Sequence, residues 1–161
     1  MKFDDAYLHS RDIDWFCVIG GVSCHMASAG GLLPDVVNDR EKLRDIQKRV
    51  FDMDYIFAGE EINLNINFLK QRFGDEQEKI ESYIASFVHM SRKGFVSFDR
   101  TNVEDLTDQT YHIVCCPKRI VELNDFSLPR VECRLIENGL VDVKKPDFFN
   151  SIDYNLSYAF D

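Results

Sequence analysis

The chain has 161 residues, of which 45% are hydrophobic and 12% aromatic, enough for one domain over residues 1–161 with a sizeable core, and not a disordered composition. Its 28 Asp and Glu outnumber 19 Lys and Arg, for a net charge of −9; this argues against nucleic acid as a partner, because that binding depends on cations meeting phosphates. No run approaches the roughly 18 apolar residues of a membrane-spanning helix, and the polar, acidic opening does not read as a secretory signal, so the expected location is the cytoplasm.

In chain order, residues 14–19 (DWFCVI) and 22–27 (VSCHMA) are apolar runs joined by Gly20-Gly21, a pattern that predicts a β-hairpin. Alternation of Val22, Cys24 and Met26 with Ser23, His25 and Ala27 predicts one core face. Residues 28–34 (SAGGLLP) form a loop. Asn38, with Glu41 three positions later, predicts a capped helix with Leu43, Ile46, Val50 and Met53 on its inner side. Residues 61–73 fit a strand over their first half and also show helical spacing. A second helix follows, with Asp75 as its cap, a stripe of Ile80, Tyr83, Ile84, Phe87 and Val88, and Gly94 at its end. His89 lies opposite that stripe and is expected to face solvent. Residues 95–98, 111–116, 131–136 and 140–143 read as strands, the last two joined by a turn at Asn138-Gly139. The aromatic tail, residues 148–160, is expected to dock on the body. The order predicts an α+β fold with a mainly antiparallel sheet and two amphipathic helices.

Ligand-type residues occur at Cys24-His25 and at His112, Cys115 and Cys116. They fall on predicted strands, where neighbours face opposite ways, so no metal site and no cofactor are expected. Five cysteines without framework spacing read as buried reduced thiols. The loop over residues 99–108 carries Asp99, Glu104, Asp105 and Asp108; it lacks the glycine and spacing of a calcium loop and reads as a solvated acidic patch available to a cationic partner. Asp12 and Asp14 precede the only tryptophan, Trp15. That ring is either an anchor for a partner or part of the core, and a regular strand lets only one of Trp15 and Phe16 point inward.

Residues 12–34 (DIDWFCVIGGVSCHMASAGGLLP) resemble the opening of small bacterial immunity-type proteins of polymorphic toxin systems, in the D-x-D-W-F start, the second strand ending in Ala-Ser, and the Gly-rich loop leading to Leu-Pro. The likeness covers about a seventh of the chain, and Gly20-Gly21 stands where many such openings carry a longer polar turn. The resemblance implies a non-enzymatic cytoplasmic protein that neutralises a basic toxin; it supplies no fixed binding residues. From charge and loop position the candidate contacts are Asp99, Glu104, Asp105 and Asp108, then Asp12, Asp14 and Trp15. Two alternatives stay open: an enzyme using Cys115, His112 and Asp14, and a homo-oligomeric module joined through a strand edge.

Overall fold

The computed structural model describes residues 1–123, 126–136 and 140–143. A short helix, α1 (Asp5–His9), is capped by the Asp4 side chain. It lacks the length to show periodicity, which is why no sequence pattern announced it. The hairpin follows as expected: β1 (Asp14–Ile19) pairs with β2 (Val22–Ala27) from Asp14 opposite Ala27 to Ile19 opposite Val22. Gly20 and Gly21 take φ of 57° and 84°, the left-handed conformation that a two-residue turn requires.

Helix α2 (Arg40–Asp52) buries Leu43, Ile46 and Val50. Its cap is Asp39, whose carboxylate accepts from the Lys42 N–H, not Asn38. Asn38 turns its carboxamide to the N-terminal segment instead, accepting from the Phe3 N–H at 2.8 Å and donating to the Phe3 carbonyl at 3.2 Å. Residues 61–73 divide between both readings. Strand β3 (Ile62–Leu64) ends at Asn65, whose side chain caps α3 (Ile66–Phe73) and also donates to the Ile113 carbonyl. Helix α4 (Gln77–Arg92) begins after Glu76 rather than at Asp75, and it ends before Gly94, where φ is 106°. Strands β4 (Val96–Arg100), β5 (Thr110–Pro117), β6 (Arg134–Ile136) and β7 (Leu140–Asp142) complete the chain order. Asn138-Gly139 and the aromatic tail lie outside the described residues.

The strands form one curled sheet in the order β1-β2-β4-β5-β7-β6, with β3 also beside β5. The sheet is mixed, which corrects the expectation of a mainly antiparallel one: β2 and β4 run parallel, Cys24 opposite Val96 through Ala27 opposite Asp99. The reason is the connection. Helices α2, α3 and α4 intervene between β2 and β4, and a crossover of that kind returns the chain in the same direction. Among the described residues three helices of eight or more residues are present, one more than expected. Among the described residues no helix is long and apolar enough to cross a membrane.

Both faces of the central sheet are covered. Trp15, Cys17, Cys24, Met26, Val96, Phe98, Tyr111 and Ile113 belong to one core cluster. On the opposite face Phe16 packs with Ile46, Val50 and Phe95, while Phe87 of α4 packs with Val114 and Cys115. All six residues of β2 are therefore buried, where a single core face was expected. The same covering buries Trp15 and Phe16 together, at 0% and 1% exposure, despite their opposite directions on the strand. A bulge between β4 and β5 sets Ser97 opposite Cys115 and Phe98 opposite Ile113, leaving one extra residue on β5. Val114 and Cys115 thus share one face, which strand alternation alone forbids.

Candidate functional site: the acidic end of the sheet

The sequence candidates gather mainly where β1 begins and β2 and β4 finish. Beyond β2 lies the loop 28–31, and beyond β4 the loop 101–109. Between them sits Arg100, fully buried at 0% exposure. Its Nε donates to the Ser28 carbonyl and Nη2 to the Ala29 carbonyl, both at 2.8 Å. Its Nη1 donates to the carbonyls of Asn102 at 2.7 Å and Asp105 at 2.8 Å, with Asp108 at 3.3 Å, and Nη2 also reaches Val103 at 3.4 Å. A guanidinium offers five N–H bonds in a fixed plane, so one side chain satisfies carbonyls from two loops at once. With those carbonyls turned inward around the cation, the loop's side chains turn outward.

The neighbouring loop is built to admit this contact. Ala29 holds φ of 43° and Gly30 φ of 81°. The Ala29 N–H donates to Asp12 Oδ1 at 2.8 Å while its carbonyl meets Arg100, so both ends of a left-handed residue are fixed. A Cβ at Gly31 would lie 2.6 Å from Arg100 Cδ and Nε, so only glycine leaves room for the guanidinium.

The outward surface carries exposed Glu104 and Asp105, half-buried Asp108, and exposed Asp12. Val103 and Leu106 stand among them at 45% and 40% exposure. Local bonds order the acids: Asp105 Oδ1 accepts from the Thr107 N–H and hydroxyl, and Asp108 Oδ1 from the Thr110 N–H. Asp99, expected in the same patch, is instead buried at 9% exposure on the other face of β4. Trp15 lies inside the core, edge-on to Tyr111 with ring centres 5.8 Å apart. Asp14 is exposed but engaged with His25, Oδ1 to Nε2 at 2.7 Å, on the α2 side of the sheet.

The chemistry-bearing groups fall under α4 in separate hydrogen-bonded chains. Tyr83 donates to Asp99 Oδ2 at 2.6 Å, which leaves its oxygen to accept from His112 Nε2 at 3.1 Å; Nδ1 of that ring then accepts from Thr101 at 3.0 Å. Burial, with the Arg72 charge adding to it, pushes His112 down to about 3, so the imidazole is neutral at physiological pH. Burial also raises the Asp99 carboxyl, an effect that the Tyr83 hydrogen bond partly opposes. Phe68 stacks on His112 at 3.8 Å. Cys115 meets Ser91 Oγ at 3.2 Å, and burial pushes its thiol up to about 12. Cys116 and Cys133 are raised by burial to about 12 as well, and Cys17 is raised by the same cause. The line Asp14–His25–Ser97 runs on through Ser91, whose Oγ lies 3.4 Å from Ser97 Oγ, to Cys115, and both serines are at 0% exposure, with Ser97 donating to the Phe87 carbonyl. Of the nucleophile candidates, Asp14 and Cys115 thus stand at the two ends of one line, and His112 belongs to the other. His89, expected as an ordinary surface residue, is partly exposed and pairs with the Tyr55 hydroxyl at 2.6 Å.

Arg100 is the residue that the sequence reading missed. The signal was present: Val96, Phe98 and Arg100 continue one alternating face of β4, so the arginine follows two core residues inward. Comparisons of this chain with protein-family models, curated proteins and solved structures find no match.

Proposed function

We propose that this is a cytoplasmic binding protein of the immunity type, which neutralises a basic protein partner by occluding it. The observation that carries the reading is the clamp of Arg100 on the two loops at the acidic end of the sheet. Loops usually lose conformational freedom on binding, and that loss weakens association. Here Arg100 already ties four main-chain carbonyls of this loop and two of the loop 28–31, with Glu104, Asp105, Asp108 and Asp12 facing outward around Val103 and Leu106. Carboxylates around exposed aliphatic groups suit a cationic surface: the charges steer the encounter and the apolar groups bury area at contact. The buried thiols, with Cys115, Cys116 and Cys133 raised by burial, and the walled-in neutral His112 favour docking over turnover. A strand-edge dimer gains no support at β1, because Val18 exchanges main-chain hydrogen bonds with Pro129 and Val131 across that edge.

The test uses the basic protein that the full chain recovers from lysate of the native organism. Association rates of the purified pair are measured across a salt series, for wild type and for Glu104→Lys/Asp108→Lys. The reading expects association to slow by about tenfold or more with rising salt, and the double variant to lose most of that dependence. Recovery of no basic protein, or equal rates for the variant, overturns it.

A further inference from the structure

A cleft of about 630 Å³ opens between the segment after the loop 28–31 and residues 130–132. Leu32, Leu33, Val36, Val131 and Val143 form its apolar wall. Gln109 lines it as well, at only 7% exposure, and neither its amide nitrogen nor its amide oxygen has a hydrogen-bond partner among the described residues. A buried carboxamide lacking both bonds is costly, and native folds keep such groups rarely. We infer that this cleft is a binding site for an extended peptide segment with an aliphatic side chain, held by Gln109, whose enclosed carboxamide turns toward the cleft to take the N–H and C=O of a single residue.

Three observations select that ligand. An extended residue directs its own N–H and C=O to the same side, matching the donor and acceptor of one carboxamide. The fold already contains this pairing, because Asn38 takes the N–H and C=O of Phe3 in the same way. The wall is aliphatic, with no aromatic ring among the described residues that line it on which a flat heterocycle could stack, and it fits a Leu, Ile or Val side chain. Asp35, Glu132 and Arg130 at the mouth carry both signs of charge, which disfavours a phosphate-bearing ligand. Gln109 closes the loop 101–109 of the acidic end, but the inference rests on the cleft and this carboxamide and stands if the immunity reading fails.

The experiment titrates the ¹⁵N-labelled full chain with N-acetyl-leucine-N′-methylamide and follows the side-chain NH₂ signals of Gln109. The matching depsipeptide, with oxygen in place of the leucine N–H, is the comparison. The expected result is a saturable shift at Gln109 at millimolar concentrations, at least about tenfold weaker for the depsipeptide. Gln109→Met is expected to lose the binding while melting no lower than wild type, since it removes an unpaired buried amide. Absence of a Gln109 shift overturns the inference, as does equal binding of the depsipeptide; should the Met variant fail to fold, the wild-type comparison still decides. A Met variant that melts lower and binds unchanged assigns Gln109 a structural role instead and overturns it too.

Discussion

Acid should unfold this protein through His112, and the size of the effect follows from its surroundings. The ring is 2% exposed, stacked on Phe68, and donates to Tyr83 while accepting from Thr101. Its folded value is pushed from 6.5 to about 3. Between those limits the unfolded chain takes up a proton that the folded chain refuses, so stability falls as pH falls through the window. Each pH unit crossed removes about 1.4 kcal/mol, hence about 2 kcal/mol between pH 6.5 and about pH 5. Asp99 works the other way. Its carboxyl is raised, so the folded chain binds that proton more tightly, and the Asp99 contribution to stability fades as pH rises through its folded value. The comparison of wild type with His112→Gln separates the two, because glutamine can donate to Tyr83 and accept from Thr101 without titrating. Urea denaturation followed by the emission of Trp15, the single and buried tryptophan, gives stabilities at about pH 7.5 and about pH 5. Wild type should lose about 2 kcal/mol more than the variant over that interval. Equal losses, or a His112 that titrates near its ordinary value by NMR, would refute the reasoning.

Two further outcomes follow from the interior. Gly31→Ala forces a Cβ to 2.6 Å from Arg100 Cδ and Nε, so the guanidinium must leave its ring of carbonyls; the expected cost is about 1–3 kcal/mol in chemical denaturation, and an unchanged midpoint would mean that the loop does not depend on that seat. The five cysteines are all buried, and burial holds Cys115, Cys116 and Cys133 near 12. A disulfide reagent at neutral pH should therefore modify the native chain at least about a hundredfold more slowly than the urea-unfolded one; one rapidly reacting native thiol would reinstate a nucleophile.

What was legible in the sequence is what local patterns encode. Gly20-Gly21 marked the hairpin because a two-residue turn needs positive φ, and the 3.6-residue stripe ending at Gly94 marked α4. The direction of β4 beside β2 was not legible, since it depends on where three helices carry the chain. The acidic candidates were read by charge, and charge is a fair guide to exposure for Asp12, Glu104 and Asp105. It misled at Asp99, where Tyr83 supplies a buried donor from another element. It misled again in describing the loop as merely solvated, because the cation that organises its backbone immediately precedes it on β4. The expectation for Asn38 failed for a similar reason: its amide had a distant partner in Phe3, and Asp39 was free to cap the helix.

The parallel seam between β2 and β4 also bears on how the chain acquires its form during synthesis. The β1–β2 hairpin closes through a two-residue turn, so it can assemble as soon as it emerges. The strand that completes its inner margin arrives only after α2, α3 and α4 have been made. Until then β2 presents a row of unsatisfied amides on a strand whose side chains are all destined for the interior, the kind of margin on which chains cross-pair. The slow, long-range closure of that seam sets the interval during which a nascent copy is vulnerable to its neighbours.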